Sequence, residues 1–261
     1  MASSTLSKNV QRSMMASVVS LASVASILGA TSSQAAIING GFETGNFTGW
    51  STIGNTNVEP SARVGSTTGN FIAIASTFGT ASNGLTVTDS NLEAFLGVPN
   101  GSLDSLGNGN VSSGSAIKQT IEAEVGDVLT FNWNFLTFET ANRPDYPFND
   151  FAFVSIKGLK ELADAFSPLV ASTIPSFTLE SGFKQFSYTF EQAGTYELGF
   201  GVVDVENVPE NVEYPSALLV DEVKLSESAA SVPEPASIVG LLTLGAMGVG
   251  SMLKRKQHHQ A

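Results

Sequence analysis

Between Glu139 and Asp150 the sequence places four oxygen-bearing side chains, Glu139, Asp145, Asn149 and Asp150, around Pro144 and Pro147. The prolines restrict the unfolded loop, so these groups can converge at little cost in chain entropy. Such a cluster suits a hard cation, which takes about six to eight oxygens, or a rim that hydrogen-bonds a polar ligand. The same residue types also cap loops through local backbone bonds, and the pattern does not choose between these roles. Aromatic rings form the second set: Trp50, Trp133, Tyr146, Tyr188, Tyr196 and Tyr214. A sugar ring has apolar C–H faces that stack on aromatic planes while flanking Asn or Asp take its hydroxyls. Trp133 shares a strand face with Phe131 and Phe135 and reads as core. Trp50 and Tyr146, the latter beside Asp145, remain as stacking candidates.

Other chemistry is scarce. The chain of 261 residues has no cysteine, and its two histidines, His258 and His259, are adjacent near the C-terminus. Thiol nucleophiles, thiolate zinc sites and disulfides are therefore out. Triads with an imidazole base and histidine iron or zinc sites cannot be assembled from the body of the chain. No Gly-x-Ser-x-Gly elbow, P-loop or zinc helix occurs. Catalysis would have to rest on two carboxylates about 5–10 Å apart, as in glycoside hydrolysis. With 24 acids, such a pair arises by chance in any fold. A non-enzyme is expected. The net charge of −12 repels phosphate backbones and excludes nucleic acid as a partner.

Both ends read as addresses. Lys8 and Arg12 precede the apolar run 14–30, and Ser33-Gln34-Ala35 supplies small residues before a cut after Ala35, the layout of a signal peptide over 1–35. At the other end, a linker over 229–235 contains Val232-Pro233-Glu234-Pro235 and leads into the uncharged segment 236–253 and the basic tail 254–261. At about 1.5 Å per residue that segment spans about 27 Å, enough to cross a bilayer as a helix. Lys254-Arg255-Lys256 then stays cytoplasmic and the bulk of the chain outside. All acids but Glu234 lie between Ala36 and Ser231, whereas five of the 12 bases lie in the ends, so the exported part is more acidic than the whole.

The C-terminal pattern resembles the PEP-CTERM sorting tail of bacterial surface proteins. That resemblance implies an exosortase partner acting at Pro233, Glu234 and Pro235, transfer to the cell surface, and the company of extracellular polysaccharide. The segment from Phe135 to Val154 is similar to one common in such proteins. The stretch Asn39-Gly40-Gly41-Phe42-Glu43 through Gly49-Trp50 resembles the opening of jelly-roll carbohydrate-binding modules, and Leu218 to Val223 resembles their closing strand. In that family the opening glutamate and closing aspartate commonly hold a structural Ca²⁺, which the resemblance carries to Glu43 and Asp221. Gly-rich loops let backbone carbonyls complete such a shell.

The elements that must position these groups are mostly strands. Alternation in 115–124 and 128–138 around Gly126-Asp127 predicts a hairpin, and 151–156, 183–190, 196–203 and 217–225 follow as strands between turn residues. Shorter strands are expected at 71–75 and 85–88. Ser90-Asn91-Leu92-Glu93 has the spacing of a capping box for a short helix ending at Gly97, and 160–166 reads as a second, weaker helix before Pro168. The fold class is all-β: a jelly-roll-like two-sheet β-sandwich over 36–228 with one or two short helices. The functional expectation is an exported, exosortase-sorted surface or matrix protein that binds polysaccharide without catalysis. The alternative is a structural, self-assembling surface protein with no glycan ligand.

Overall fold

A computed structural model describes residues 37–64, 68–78, 85–139, 149–205 and 214–228. The expected signal peptide, sorting linker, apolar segment 236–253 and tail lie outside the described residues, as do Asp145 and Tyr146. Among the described residues no helix is long and apolar enough to cross a membrane.

In chain order the described residues form β1 (Ser51–Ile53), β2 (Asn55–Pro60), α1 (Ser61–Val64), β3 (Phe71–Ser76), β4 (Val87–Thr88), α2 (Asp89–Leu96) and a 3-10 turn at Asp104–Leu106. There follow β5 (Ser113–Ala123), β6 (Val128–Thr137), β7 (Phe151–Ser155), β8 (Leu159–Asp164), β9 (Val170–Ala171), β10 (Leu179–Glu180), β11 (Lys184–Thr189), β12 (Gly194–Asp204) and β13 (Ser216–Ser226). One sheet has the order β1-β5-β12-β7-β8, with β4 also on β5; the other has β2-β3-β13-β6-β10-β9, with β11 also on β6. Every pairing among them is antiparallel. This is the all-β two-sheet sandwich expected from the sequence.

Aromatic rings join the sheets. Phe131 of β6 meets Phe200 of β12 edge-on at 4.7 Å between ring centres, and Trp50 packs on Phe200 at 5.9 Å. Each sheet also has a covered outer face. Helix α2 lays Leu92 and Leu96 over Phe151, Phe153 and Val203, while Ile174 covers Ile72, Leu136 and Leu219 on the other side. The helix lies close because β12 has glycine beneath it: a Cβ at Gly199 would stand 2.7 Å from Leu96 Cδ2. Strands covered on both faces read as continuous apolar runs, which is why Ala217 to Val220 lacks alternation.

Three sequence expectations are corrected. The segments 115–124 and 128–138 are strands but not a hairpin, since β5 and β6 belong to opposite sheets and Gly126-Asp127 is an arch between them. Period-two alternation is the same for a hairpin and an arch, and the partners β12 and β13 decide. The expected helix at 160–166 is instead strand β8, paired with β7 around Gly158. A seven-residue helix gains too little from its own backbone bonds to compete with a ladder on a buried strand. At α2 the helix starts at Asp89 after Thr88, so Ser90 is inside it. Glu93 does not reach back to a cap; its carboxylate accepts the Gly101 and Leu103 amides, both at 2.8 Å. The stop at Gly97, with φ 71°, is as expected.

The arch is held by Asp127, which is buried. Its Oδ2 accepts the Glu124 amide at 2.7 Å and its Oδ1 the Ser228 amide at 2.9 Å, tying the arch to the end of the last strand. Removing the carboxylate leaves both amides without this acceptor. Asp127→Ala is expected to lower stability by about 2–4 kcal/mol in urea unfolding of the purified protein, and Asp127→Asn by about half as much, because it keeps one acceptor.

Candidate functional site

Glu43 and Asp221, predicted as calcium ligands, come together at the N-terminal loop. Residues 39–42 form a tight turn in which the Phe42 amide donates to Asn39 O at 3.0 Å, with Asn39 and Phe42 at φ 51° and 56°. The turn lies on β13 where its register on β6 shifts after Asp221, and Glu222 has φ 51° there. Gly40 is required by closeness: a Cβ would lie 2.0 Å from Val223 O. The site of a Gly41 Cβ is 3.7 Å from Glu43 Cγ and 3.9 Å from Asp221 Oδ1, so the two acids flank that glycine. Asp221 is 1% exposed, and its Oδ1 accepts the Glu222 amide at 2.7 Å. Glu43 accepts the Asn70 and Phe71 amides at 2.9 and 3.2 Å. The Glu222 carboxyl is held below its ordinary pKa by hydrogen bonds from the Thr68 hydroxyl and then Lys224. A Ca²⁺ here would take side-chain oxygens from Asp221 and Glu43, and both Glu43 oxygens already accept the Asn70 amide, at 2.9 and 3.0 Å. Among the described residues no three Asp, Glu, His or Cys side chains converge at metal-ligand distance. A cation here would therefore draw much of its shell from backbone carbonyls.

Trp50, a predicted stacking residue, is corrected to core. It is 7% exposed, packs on Phe42 and Phe200, and its indole N–H donates to Ile38 O at 3.0 Å. No face is left for a sugar. Trp133 is buried, as its strand face implied.

Glu139, Asn149 and Asp150 are also brought together, in the interior at one end of the sandwich. The Asp150 amide donates to Glu139 Oε2 at 3.0 Å, and Asp150 Oδ1 accepts the Val205 amide at 2.9 Å. Thr77, whose hydroxyl accepts the Ser216 amide at 2.8 Å, stands against Asp150 Oδ2 at 3.5 Å. Asp150, just before β7, thus joins the segments that follow β3 and β12 and, through Thr77, the first residue of β13. Asn149 Nδ2 donates to Asn108 Oδ1 at 3.1 Å and Asp164 Oδ2 at 3.2 Å. These bonds are those of a structural clamp, with Glu139 and Asp150 both buried.

A cleft opens at the lateral edge between the sheets, where β8 faces β11. Its volume is about 220 Å³, and Val154, Ile156, Leu159, Phe186 and Tyr188 give it apolar walls, with Lys157 and Lys160 at the rim. Phe186 stacks on core Phe131 at 4.8 Å, which fixes the inner wall. Tyr188 was among the aromatics read from the sequence, but the cleft was not, because it needs β8, which reads as helix, and β11 from the other sheet. A signal was present: Lys184, Phe186 and Tyr188 alternate along one strand face.

Beyond the sandwich, the Pro-Glu-Pro triplet, apolar segment and basic tail follow one another. Residues 231–256 match the PEP-CTERM protein-sorting motif. A PEP-CTERM motif indicates export, exosortase processing and sorting to the cell envelope. No curated protein matches the sequence. Among solved structures, the carbohydrate-binding module TmCBM61 in complex with beta-1,4-galactotriose aligns at 14% identity and TM-score 0.37, over 72% of this chain and 95% of that one. The CBM22-1 xylan-binding domain from Paenibacillus barcinonensis Xyn10C aligns at 12% identity and TM-score 0.32, over 73% and 93%. The enzymatically active domain of bacteriophage CBA120 tailspike protein 4 aligns at 11% identity and TM-score 0.35, over 73% of this chain and 21% of that one. These likenesses concern the β-sandwich and carry no ligand across.

Asp150 is fully buried, and burial first, then the charges of Glu139 and Asp204, push its pKa well above the ordinary value. The native state therefore favours the neutral acid. Its stabilising contribution is complete below the unfolded pKa near 4 and is lost as pH rises through the higher folded value. In that window the loss is up to about 1.4 kcal/mol per pH unit. Asp150→Asn keeps the acceptor for Val205 without the charge. Its melting temperature relative to the parent is expected to rise steadily from pH 4 upward, read in a pH series of thermal melts; a constant difference would contradict the assignment.

Proposed function

We propose that the protein is an exported, non-catalytic polysaccharide-binding protein of the cell surface or extracellular matrix. The C-terminal segment 236–253 holds it in the membrane until an exosortase acts at Pro233-Glu234-Pro235. The observation that carries the binding half is the lateral cleft: beside an inner wall fixed by Phe186, Tyr188 offers half-buried aromatic surface at a sheet edge, the kind of surface on which a sugar's C–H face stacks. The sorting motif at 231–256 supports the export half. Saturable binding of the full-length chain, purified in detergent, to at least one glycan on an array is expected, with no release of reducing sugar. A chain that binds no glycan yet assembles with itself in sedimentation is the structural alternative and overturns this reading.

A structural Ca²⁺ belongs to the same proposal, held by Glu43 and Asp221 where the first loop meets the last strand. The ion would offset the repulsion of two acids brought together at Gly41 and lock the turn on β13. A ligand bound only by the native state, at 100 times its dissociation constant, adds about 2.7 kcal/mol. Calcium is therefore expected to raise the melting temperature by roughly 5–10 °C over chelator, and Asp221→Ala to abolish most of that response. Melting indifferent to both calcium and chelator would dismiss the ion.

A further inference from the structure

We propose that the lateral cleft takes an acidic sugar unit, a uronic acid or another carboxylate-bearing pyranose of an extracellular polysaccharide. The inference rests on the polysaccharide reading above and names its substrate class.

The argument begins with charge. The chain has 24 acids and 12 bases, so a lysine placed without constraint finds a carboxylate nearby. Among the described residues three exposed lysines form no ion pair. Lys157 stands 5.5 Å from the centre of the Tyr196 ring, Lys160 5.0 Å from Phe186 and Lys184 5.4 Å from Trp133. The ion pairs among the described residues join Arg63 to Glu59, Lys118 to Glu197 and Lys224 to Glu222, and none of the three lysines takes part. Lys157 has a neutral partner, Gln192 Oε1 at 3.4 Å. Each ammonium is thus held by an aromatic face rather than by an acid, which orders it and leaves its charge available to a ligand.

The surroundings select the kind of anion. Lys157 and Lys160 form the rim of the cleft whose walls are Val154, Leu159, Phe186 and Tyr188. Lys160 already covers the Phe186 ring, so Tyr188 is the aromatic that presents apolar surface to a pyranose. A carboxylate on that sugar would reach Lys157 and Lys160 while its C–H face meets Tyr188. The cleft, at about 220 Å³, is smaller than the roughly 300–1,000 Å³ that drug-sized ligands occupy, and holds one ring of a chain that continues into solvent. The acidity of the rest of the protein does not forbid this. At physiological ionic strength charges beyond about 8 Å are largely screened, whereas an ammonium in contact with a carboxylate is not. The local sign prevails.

The test titrates the full-length chain, in detergent and at physiological salt, with tetramers of glucuronate, galacturonate and mannuronate, each against its neutral hexose counterpart. A hexaglutamate peptide is the third probe. At least one uronate is expected to bind tenfold or more tightly than its neutral counterpart. Lys157→Gln with Lys160→Gln should remove that preference without changing the thermal melt, and Lys118→Gln, remote from the cleft, should leave it intact. Uronates that bind no better than neutral sugars, or a preference that survives the double substitution, overturn the proposal. Hexaglutamate binding as tight as the best uronate would make the cleft an acidic-peptide site and overturn it equally. Glycan binding confined to neutral sugars leaves the polysaccharide reading standing and removes this one; binding of no glycan removes both.

Discussion

Contact between Phe131 and Phe200 is the interaction on which the rest of the sandwich depends. It joins β6 to β12, inner strands of the two sheets, and the rings continue outward from it. On one side Phe131 stacks on Phe186, the inner wall of the lateral cleft. On the other, Phe200 meets Trp50, Trp50 meets Phe42, and Phe42 meets Phe47 in the N-terminal loop. Aromatic pairs of this kind contribute about 0.5–1.5 kcal/mol each beyond the area they bury, and they fix angles as well as distances. The cleft and the loop that carries Glu43 are therefore opposite ends of one packed column.

A chain without cysteine fastens its loops by other means, and here carboxylates do so. Glu93 accepts the amides of Gly101 and Leu103, Glu43 those of Asn70 and Phe71, Asp127 those of Glu124 and Ser228, and Asp150 that of Val205. Apart from the local Glu124 bond, which closes the arch, each of these bonds ties one segment of chain to another. Charged acceptors on backbone amides are among the stronger hydrogen bonds, and Glu93 and Asp127 make theirs buried, whereas Asp150 accepts as a carboxyl that burial keeps toward the neutral form. Part of the acidic surplus is thus structural and does not advertise ligands or catalysis. The lysines follow a complementary pattern, since three of them rest on aromatic faces and form no ion pair among the described residues.

These two patterns bear on function together. Acids that serve as staples are structural, while Lys157 and Lys160, held over rings, keep their charge outward at the lateral cleft. The sorting motif at 231–256 indicates export and sorting to the cell envelope, the setting in which the proposed binding edge would meet a polymer.

Composition and period were enough to determine the class of fold, and the C-terminal motif was enough to indicate export and sorting. Missing thiols and body histidines, the turn-rich apolar runs and the ordered Pro-Glu-Pro, apolar and basic ends are local facts that survive any packing. That the opening loop meets the last strand, with Glu43 and Asp221 on either side of Gly41, was suggested by motifs that bracket the domain. Pairing was not. Alternation in 115–124 and 128–138 is identical whether the strands join each other or opposite sheets, and only β12 and β13 settled it. Residues 160–166 have helical composition, but the ladder offered by β7 outweighs a propensity of a few tenths of a kcal/mol per residue. Trp50 and Asp150 show the same division: their chemistry was visible in the sequence, while their burial, and with it their role, depended on what the fold laid over them. The cleft is the plainest case. Its rim and walls come from strands of different sheets, so no window along the chain contains it, and only tertiary structure brings Lys160 over Phe186.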